Sequence, residues 1–156
     1  MERADRRGRA ARAFRRCLAA AAAVAAALAL LVLPQLADRA PLFTGAETYT
    51  FYAGSCSSNA QILQSDGGGA AALKRRIAGL TGESARYASA EEAFAQVGRL
   101  GGRLRHTESA GGVDNYYYYS PRLGGGVALF GTQINLHVAV RGAGAAVGSP
   151  LIFGGY

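Results

Sequence analysis

The side chains that could act as acid, base or nucleophile are few, and they are spread along the chain. The two histidines, His106 and His137, belong to the residue type that most readily exchanges protons near neutral pH. Cys56, in a Ser-Cys-Ser-Ser segment, could act as a nucleophile with one of them as its activating base. The other candidates are carboxylates, namely Glu47, Asp66, Glu83, Glu108 and Asp114. We expect no catalytic constellation and no enzyme, with a hydrolase or transferase that uses Cys56 as the alternative.

No metal-binding pattern accompanies these residues. The spacings Cys-x-x-Cys, His-x-His and His-Glu-x-x-His are all missing from the sequence. The glycine runs at 111–112 and 124–126 lack the strand-loop-helix context of a phosphate-binding loop, which favours turns. We therefore expect neither a metal nor a cofactor.

Four consecutive tyrosines, Tyr116–Tyr119, are the strongest candidates for a binding surface. Tyrosine offers a large ring face and a hydroxyl, which suits contact with either protein or glycan. Neighbouring side chains of a strand point to opposite faces, so Tyr116 and Tyr118 should share one face and Tyr117 and Tyr119 the other. We expect one pair to pack against helices and the other pair to be more exposed.

A later strand, Gln133–Arg141, adds two polar candidates. Its apolar residues alternate along the chain, which leaves Asn135 and His137 on the opposite face of the strand. The alternating apolar residues are Ile134, Leu136, Val138 and Val140. The predicted binding surface therefore consists of Tyr116, Tyr117, Tyr118, Tyr119, Asn135 and His137.

The N-terminus has the layout of a membrane anchor. Residues 1–16 form a basic head with seven arginines, and the uncharged, alanine- and leucine-rich run Cys17–Leu33 follows. A helix over 17–36 would reach the low end of the length that crosses a hydrocarbon core. Because positive charge stays in the cytoplasm, we expect a single-pass protein of the cell membrane with an extracytoplasmic C-terminal domain. A signal peptide is the alternative, although good cleavage sites are missing after the run.

Charge and cysteine placement narrow the partners further. The whole chain carries +7, but residues 41–156 hold nine basic and seven acidic residues, a net charge of only +2. A nucleic-acid-binding domain needs a clustered basic face, so we expect no nucleic-acid partner. The basic trio 74–76 fits the solvated side of a short helix. The predicted anchor also separates Cys17 from Cys56, so we expect no disulfide between them.

The remaining pattern predicts one α+β domain over 47–156, joined to the anchor by a linker at 37–46. A capping box, Ser89 with Glu92, begins a helix, and Gly101-Gly102 ends it. Residues 83–108 should thus form a β-α-β unit whose two strands lie parallel in one sheet. Further strands are expected at 47–53, 59–64, 116–119, 127–130, 133–141 and 145–147, a second helix at 70–78, and an apolar C-terminus tucked against the sheet. We expect a mixed or antiparallel sheet with two helices on one face.

Two segments near the C-terminus carry a family resemblance. One is Asn-Leu-His-Val-Ala-Val-Arg at 135–141, and the other is Gly-Ser-Pro-Leu-Ile at 148–152. They resemble the closing strands of the YwmB-like exported proteins of endospore-forming bacteria, and they depart from that pattern at His137 and Ser149. The resemblance implies an α+β fold, export and a sporulation context, with no established catalytic residues.

Together these features predict a membrane-tethered, non-catalytic interaction domain that acts in the cell envelope or during sporulation. Its expected partners are the membrane, through the N-terminal helix, and an envelope protein or glycan, through the tyrosine-rich strand.

Overall fold

The computed structural model describes residues 18–27, 40–54 and 60–153 of the 156-residue chain. The chain divides into two compact units, Met1–Ala40 and Pro41–Tyr156. In the first unit, residues 18–27 form helix α1, and their side chains are exposed. At the usual helical rise, these ten described residues span about 15 Å.

Within the described ranges, no helix is both long enough and apolar enough to cross a membrane. This finding contradicts the predicted membrane helix over 17–36 and the single-pass location at the cell membrane that depended on it. Residues 17 and 28–36 of the predicted span lie outside the described residues.

The described part of the second unit contains nine strands and two helices. Seven of the strands form one sheet in the order β2-β1-β3-β9-β8-β5-β4, and β6 and β7 form a separate pair. The helices are α2 Ala70–Lys74 and α3 Ala90–Leu100. The strands are β1 Thr48–Ala53, β2 Gln61–Asp66, β3 Leu80–Tyr87, β4 Arg103–Ala110, β5 Val113–Tyr119, β6 Val127–Leu129, β7 Thr132–Ile134, β8 Leu136–Arg141 and β9 Gly144–Ser149.

Every neighbouring pair in the main sheet is antiparallel. Strands β3 and β4, which α3 connects, run in the same direction, but β9, β8 and β5 lie between them. The strands that come later in the chain thus enter the centre of the sheet, and the expected parallel pair does not form. The predicted fold class, a membrane helix followed by an α+β domain with a mixed or antiparallel sheet and two helices on one face, is wrong, because the described chain is mostly antiparallel sheet with few helices. The domain is mainly an antiparallel sheet, and α2 is only five residues long.

The boundaries of α3 follow from local sequence. Ser89 is the N-cap, and its Oγ accepts a hydrogen bond from the Glu92 backbone N–H at 3.3 Å. Gly101 ends the helix in the left-handed conformation, with φ of 69°. A Cβ on Gly102 would lie 2.7 Å from Val97 Cγ1, so glycine lets the chain turn closely under the helix. The predicted capping box and glycine stop are therefore confirmed.

Helix α2 is held by a buried ion pair. Lys74 Nζ lies 2.6 Å from Glu83 Oε2, and both side chains are nearly inaccessible to solvent. The other carboxylate oxygen of Glu83 accepts a hydrogen bond from the Leu42 backbone N–H. Lys74 therefore does not belong to a solvated basic face, as the sequence suggested, whereas Arg75 and Arg76 are exposed. Loss of one partner would leave a buried charge without compensation, which typically costs about 3 to 5 kcal/mol.

One face of the sheet packs against the two helices and forms the core. The segment before β1 belongs to this core, because Phe43 is fully buried and its carbonyl accepts a hydrogen bond from the Tyr49 hydroxyl at 3.1 Å. Helix α3 holds the same segment through Gln96 Oε1, which accepts from the Thr44 backbone N–H at 3.2 Å. The other core residues on this face include Phe51, Ala85, Tyr87, Ala93, Val97, Leu100, Leu136, Val138 and Val147.

Candidate functional site

Strand β5 sends its tyrosines alternately to the two faces of the sheet, as the sequence predicts. Tyr116 packs edge-on against Phe94 of α3, with ring centroids 5.2 Å apart. Tyr118 packs against the same core, and burial raises the pKa of its hydroxyl. Both side chains are therefore used in packing under the helices.

Tyr117 and Tyr119 lie on the opposite face, which we call the open face because the described helices do not cover it. Tyr117 is nevertheless only 7 % exposed. Its ring stacks on His137 with centroids 4.5 Å apart, and its hydroxyl donates to Glu108 Oε1 at 2.6 Å. Tyr119 is half-buried, with the Arg105 guanidinium 5.7 Å from its ring centroid. The expectation that this pair is the more exposed one is wrong for Tyr117.

Four rings fill the half of the open face that β8, β5 and β4 form. We call them the aromatic cluster: His106, Tyr117, Phe130 and His137. Phe130 reaches in from the turn between β6 and β7, where its backbone adopts a positive φ of 51°. Its ring stacks on His106 at 3.9 Å between centroids and lies 5.2 Å from Tyr117. This half of the open face is thus closed by the protein's own side chains.

His137 has both ring nitrogens in hydrogen bonds. Nδ1 accepts from the Ile152 backbone N–H at 3.3 Å, so the ring proton lies on Nε2, which donates to Asn115 Oδ1 at 3.0 Å. Burial lowers the pKa of His137 to about 4, against the small opposing effect of Glu108. The imidazole is therefore neutral at pH 7, but its lowered pKa makes it a weak base and both of its nitrogens are already in hydrogen bonds.

Asn135 lies inside the protein and is 1 % exposed. Its amide nitrogen donates to the Ser120 carbonyl at 2.8 Å and the Gly124 carbonyl at 3.0 Å. Its Oδ1 accepts from the Ser120 backbone N–H at 2.7 Å. Asn135 therefore ties the loop after β5 to the start of β8, and its polar atoms are already in use.

The other half of the open face, over β2, β1, β3 and β9, is hollow. It forms a groove of about 630 Å³. The outward-facing side chains of these strands form its floor, and the C-terminal tail, residues 151–153, borders it through Ile152 and Phe153. The groove is thus a concave site on the same sheet that carries the aromatic cluster.

Strand register places three rows of side chains across the groove. Consecutive rows are two residues, or about 7 Å, apart along the strands. The charged row is Asp66, Thr48 and Arg86; the hydroxyl row is Gln64, Thr50 and Ser84; and the apolar row is Ile62, Tyr52 and Gly82. Over about 14 Å the lining therefore changes from charged groups, through hydroxyl and amide groups, to apolar groups.

The C-terminal tail closes the apolar end. The Phe153 ring packs edge-on against Tyr52 with centroids 5.2 Å apart, and the Phe153 N–H donates to the Tyr52 hydroxyl at 3.2 Å. A Cβ on Gly148 would lie 2.7 Å from Ile152 Cγ1, so the tail depends on glycine for its close approach to β9. The predicted tucked C-terminus is confirmed for residues 151–153, and 154–156 lie outside the described residues.

The sequence reasoning missed the groove, although part of the signal is present. Polar and core residues alternate along β1, where Thr48 and Thr50 alternate with the core residues Tyr49 and Phe51. The same parity places Gln64 on β2 beside Thr50. What parity does not reveal is the order of the strands, because β3 pairs with β9 from the far end of the chain. The polar positions come together because β1 pairs with both β2 and β3, and the pairing of β3 with β9 places the C-terminal tail at the border of the groove.

The remaining sequence candidates do not form a second site. Cys17 and Cys56 lie outside the described residues. Asp114 accepts a hydrogen bond from Ser109 Oγ at 2.5 Å across the β4–β5 pair. In the part of the chain that the structure describes, no group of three or more histidine, cysteine, aspartate and glutamate side chains could hold a metal ion.

No family model, curated protein or solved structure matches the chain. The resemblance to the YwmB-like proteins therefore stays an expectation from the sequence.

Proposed function

We propose that this protein is a non-catalytic recognition domain that binds its ligand in the groove on the open face. The observation that carries the proposal is the contrast within one face of one sheet. Large rings fill one half, whereas small polar side chains leave a hollow of about 630 Å³ in the other. That volume lies within the range of about 300 to 1,000 Å³ that is usual for ligand sites.

The chemistry of the lining favours binding. Backbone N–H and C=O groups in the interior of a sheet are used in strand pairing, so a ligand on its face is recognised by side chains. The groove offers hydroxyl groups from Thr48 and Thr50, the amide of Gln64, and the charged groups of Asp66 and Arg86. These groups can hydrogen-bond to a ligand. Covalent catalysis would need a nucleophile beside a free base, and the described lining has no such pair.

The catalytic alternative has less support. A hydrolase or transferase would need Cys56 beside a histidine, but Cys56 lies outside the described residues. His137 already has both nitrogens bonded, and His106 is stacked beneath Phe130. No observation therefore favours this function over recognition.

The proposal is tested by mapping ligand contacts on the isotope-labelled full chain. The probes are cellotetraose and the tripeptide Ala-Phe-Ala, each titrated to millimolar concentration while backbone amide chemical shifts are recorded. We expect at least one probe to shift the amides around Thr48, Thr50 and Ser84, with the aromatic cluster unchanged.

A matched pair of variants separates groove binding from unspecific contact. Thr48→Trp places a large ring in the charged row and should abolish the shifts, whereas Thr107→Trp, on an exposed position of β4, should not. The proposal is rejected if neither probe shifts the groove residues, or if both variants respond like the unmodified protein.

A further inference from the structure

The two charged side chains of the groove lie at the same end and have opposite signs. Asp66 and Arg86 flank Thr48 in the charged row, one on β2 and the other on β3. Two strand spacings place their Cα atoms about 10 Å apart. A ligand between them therefore meets an anion on one side and a cation on the other.

Both groups have capacity for a ligand. Asp66 uses Oδ1 to accept a hydrogen bond from the Gly69 backbone N–H at 2.8 Å. Arg86 is exposed, and within the described ranges its guanidinium makes no hydrogen bond or ion pair. A planar guanidinium is well suited to bind a carboxylate through two parallel hydrogen bonds.

We propose that the groove binds a short zwitterionic peptide, with its ammonium group at Asp66 and its carboxylate at Arg86. This inference rests on the proposed function and adds the class of ligand. An extended chain covers about 3.4 Å per residue, so three residues span the 10 Å between the two Cα atoms. Chains much longer than this would carry one terminus beyond the charged row.

The hydroxyl row accounts for the middle of such a peptide. Its amides need partners from side chains, and the hydroxyl row supplies them through Gln64, whose Nε2 already lies 3.4 Å from Thr50 Oγ1. Ile62 and Phe153 lie beyond this row, about 14 Å from the charged row, so a side chain of the bound tripeptide does not reach them.

This gradient favours a peptide over an oligosaccharide. A neutral saccharide presents hydroxyl groups along its whole length, so it would match the hydroxyl row but leave Asp66 and Arg86 without counter-charges. A zwitterionic peptide supplies both counter-charges and also presents amide groups to the hydroxyl row.

The first test varies the ligand. Binding of Ala-Phe-Ala to the full chain is measured by calorimetry beside its N-acetylated form, its C-terminal amide and Ala-Ser-Ala. We expect blocking of either terminus to weaken binding at least tenfold, and Ala-Ser-Ala to bind within a few-fold of Ala-Phe-Ala, because the central side chain does not reach the apolar row.

The second test varies the protein. Arg86→Gln should weaken binding of the free peptide about tenfold but leave binding of the C-terminal amide unchanged, since the amide has no carboxylate to lose. Asp66→Asn keeps an oxygen for the Gly69 N–H. It should weaken binding of the free peptide about tenfold but leave binding of the N-acetylated peptide unchanged, since that peptide has no ammonium group. Arg103→Gln, an exposed arginine on β4, is the control and should have no effect.

The outcomes distinguish the two proposals. Equal affinity for free and capped peptides overturns this inference and leaves the recognition function standing. If cellotetraose alone shifts the amides of the groove residues, the peptide inference is likewise overturned and the recognition function stands. If neither the peptides nor cellotetraose shift the groove, the proposed function and this inference both fail.

Discussion

The two halves of the open face belong to one continuous sheet, yet their side chains differ in size and in what they contact. A single transverse row of paired positions runs through both halves, from Gln64, Thr50 and Ser84, through Gly148, to His137, Tyr117 and His106. On one side of Gly148 the members of this row are small or flexible and polar, and on the other side they are rings. The same antiparallel ladder therefore yields a groove or a packed surface according to the size of its side chains and the segments that reach over them.

This difference predicts where the free energy of folding resides on the open face. The aromatic cluster removes apolar surface from water and bonds its polar atoms internally, so its loss should destabilise the protein. In the groove, Tyr52 and Ser84 are buried and bonded to each other, but the charged row is exposed and has few internal partners. Changes in the charged row should therefore affect binding and leave stability nearly unchanged.

The largest effect is expected at Tyr117. Replacement by alanine removes the stack on His137 and the hydrogen bond to Glu108, and we expect a loss of about 3 to 5 kcal/mol in the free energy of unfolding. Urea denaturation followed by circular dichroism measures it. Tyr119→Ala, two residues along the same face, is the control and should cost less than half as much. Equal losses of unfolding free energy in the two variants would show that Tyr117 and Tyr119 are packed alike, which would contradict the expected difference between them.

The next largest effect on the free energy of unfolding is expected from the acid titration of His137. The folded pKa of about 4 lies below the ordinary 6.5, because burial disfavours the charged imidazole. Between these values the unfolded chain binds more protons, so the stabilisation is complete above about pH 6.5 and is lost as the pH falls towards 4. At about 1.4 kcal/mol per pKa unit, the loss approaches about 3 kcal/mol. Denaturation curves from pH 7 to 4.5 avoid most carboxyl titration.

The matched variants for this experiment are His137→Gln and His106→Gln. His137→Gln should flatten the dependence of unfolding free energy on pH in that range. His106→Gln should retain it, because only His137 is buried. A slope that survives in His137→Gln would assign the acid sensitivity to other groups.

Gly148 lies at the border between the halves and gives a smaller effect. An added methyl group would lie 2.7 Å from Ile152 Cγ1 and 3.0 Å from the Leu151 carbonyl oxygen, so the tail must shift. We expect Gly148→Ala to cost about 1 to 3 kcal/mol, which is typical of overpacking. Thermal unfolding measures it, with Gly98→Ala as the control, because a Cβ there meets no neighbour within 4 Å. An unchanged melting temperature for Gly148→Ala would mean that the tail does not hold the border.

The features that the sequence predicted correctly are local. Ser89 and Glu92 lie within one helical turn, and the parity of Tyr116 to Tyr119 needs only the two-residue repeat of a strand. Neither depends on the rest of the chain. The predicted parallel pairing of β3 with β4 is wrong because β9, β8 and β5, which come later in the sequence, lie between these two strands.

The candidate site shows a similar limit. Alternation with apolar residues predicts that Asn135 and His137 face a ligand, but alternation does not show what covers a face. The Ser120 loop engages Asn135, and Ile152 of the tail engages His137. Both partners are distant in sequence, so the polar atoms that the pattern identified are used internally. Within the described residues, the exposed side chains of Thr48 and Arg86 have no such partner, and they line the groove.

The smallest effect on stability is expected in the charged row. Thr48 is exposed, and its side chain makes no hydrogen bond within the described residues. Thr48→Ala should therefore change the unfolding free energy by no more than about 0.5 kcal/mol. If the groove binds Ala-Phe-Ala between Asp66 and Arg86, the same change removes a hydroxyl group beside the peptide and should still weaken binding severalfold. A large loss of stability in Thr48→Ala would mean that this half of the open face is also built for packing, and the contrast between the two halves would be lost.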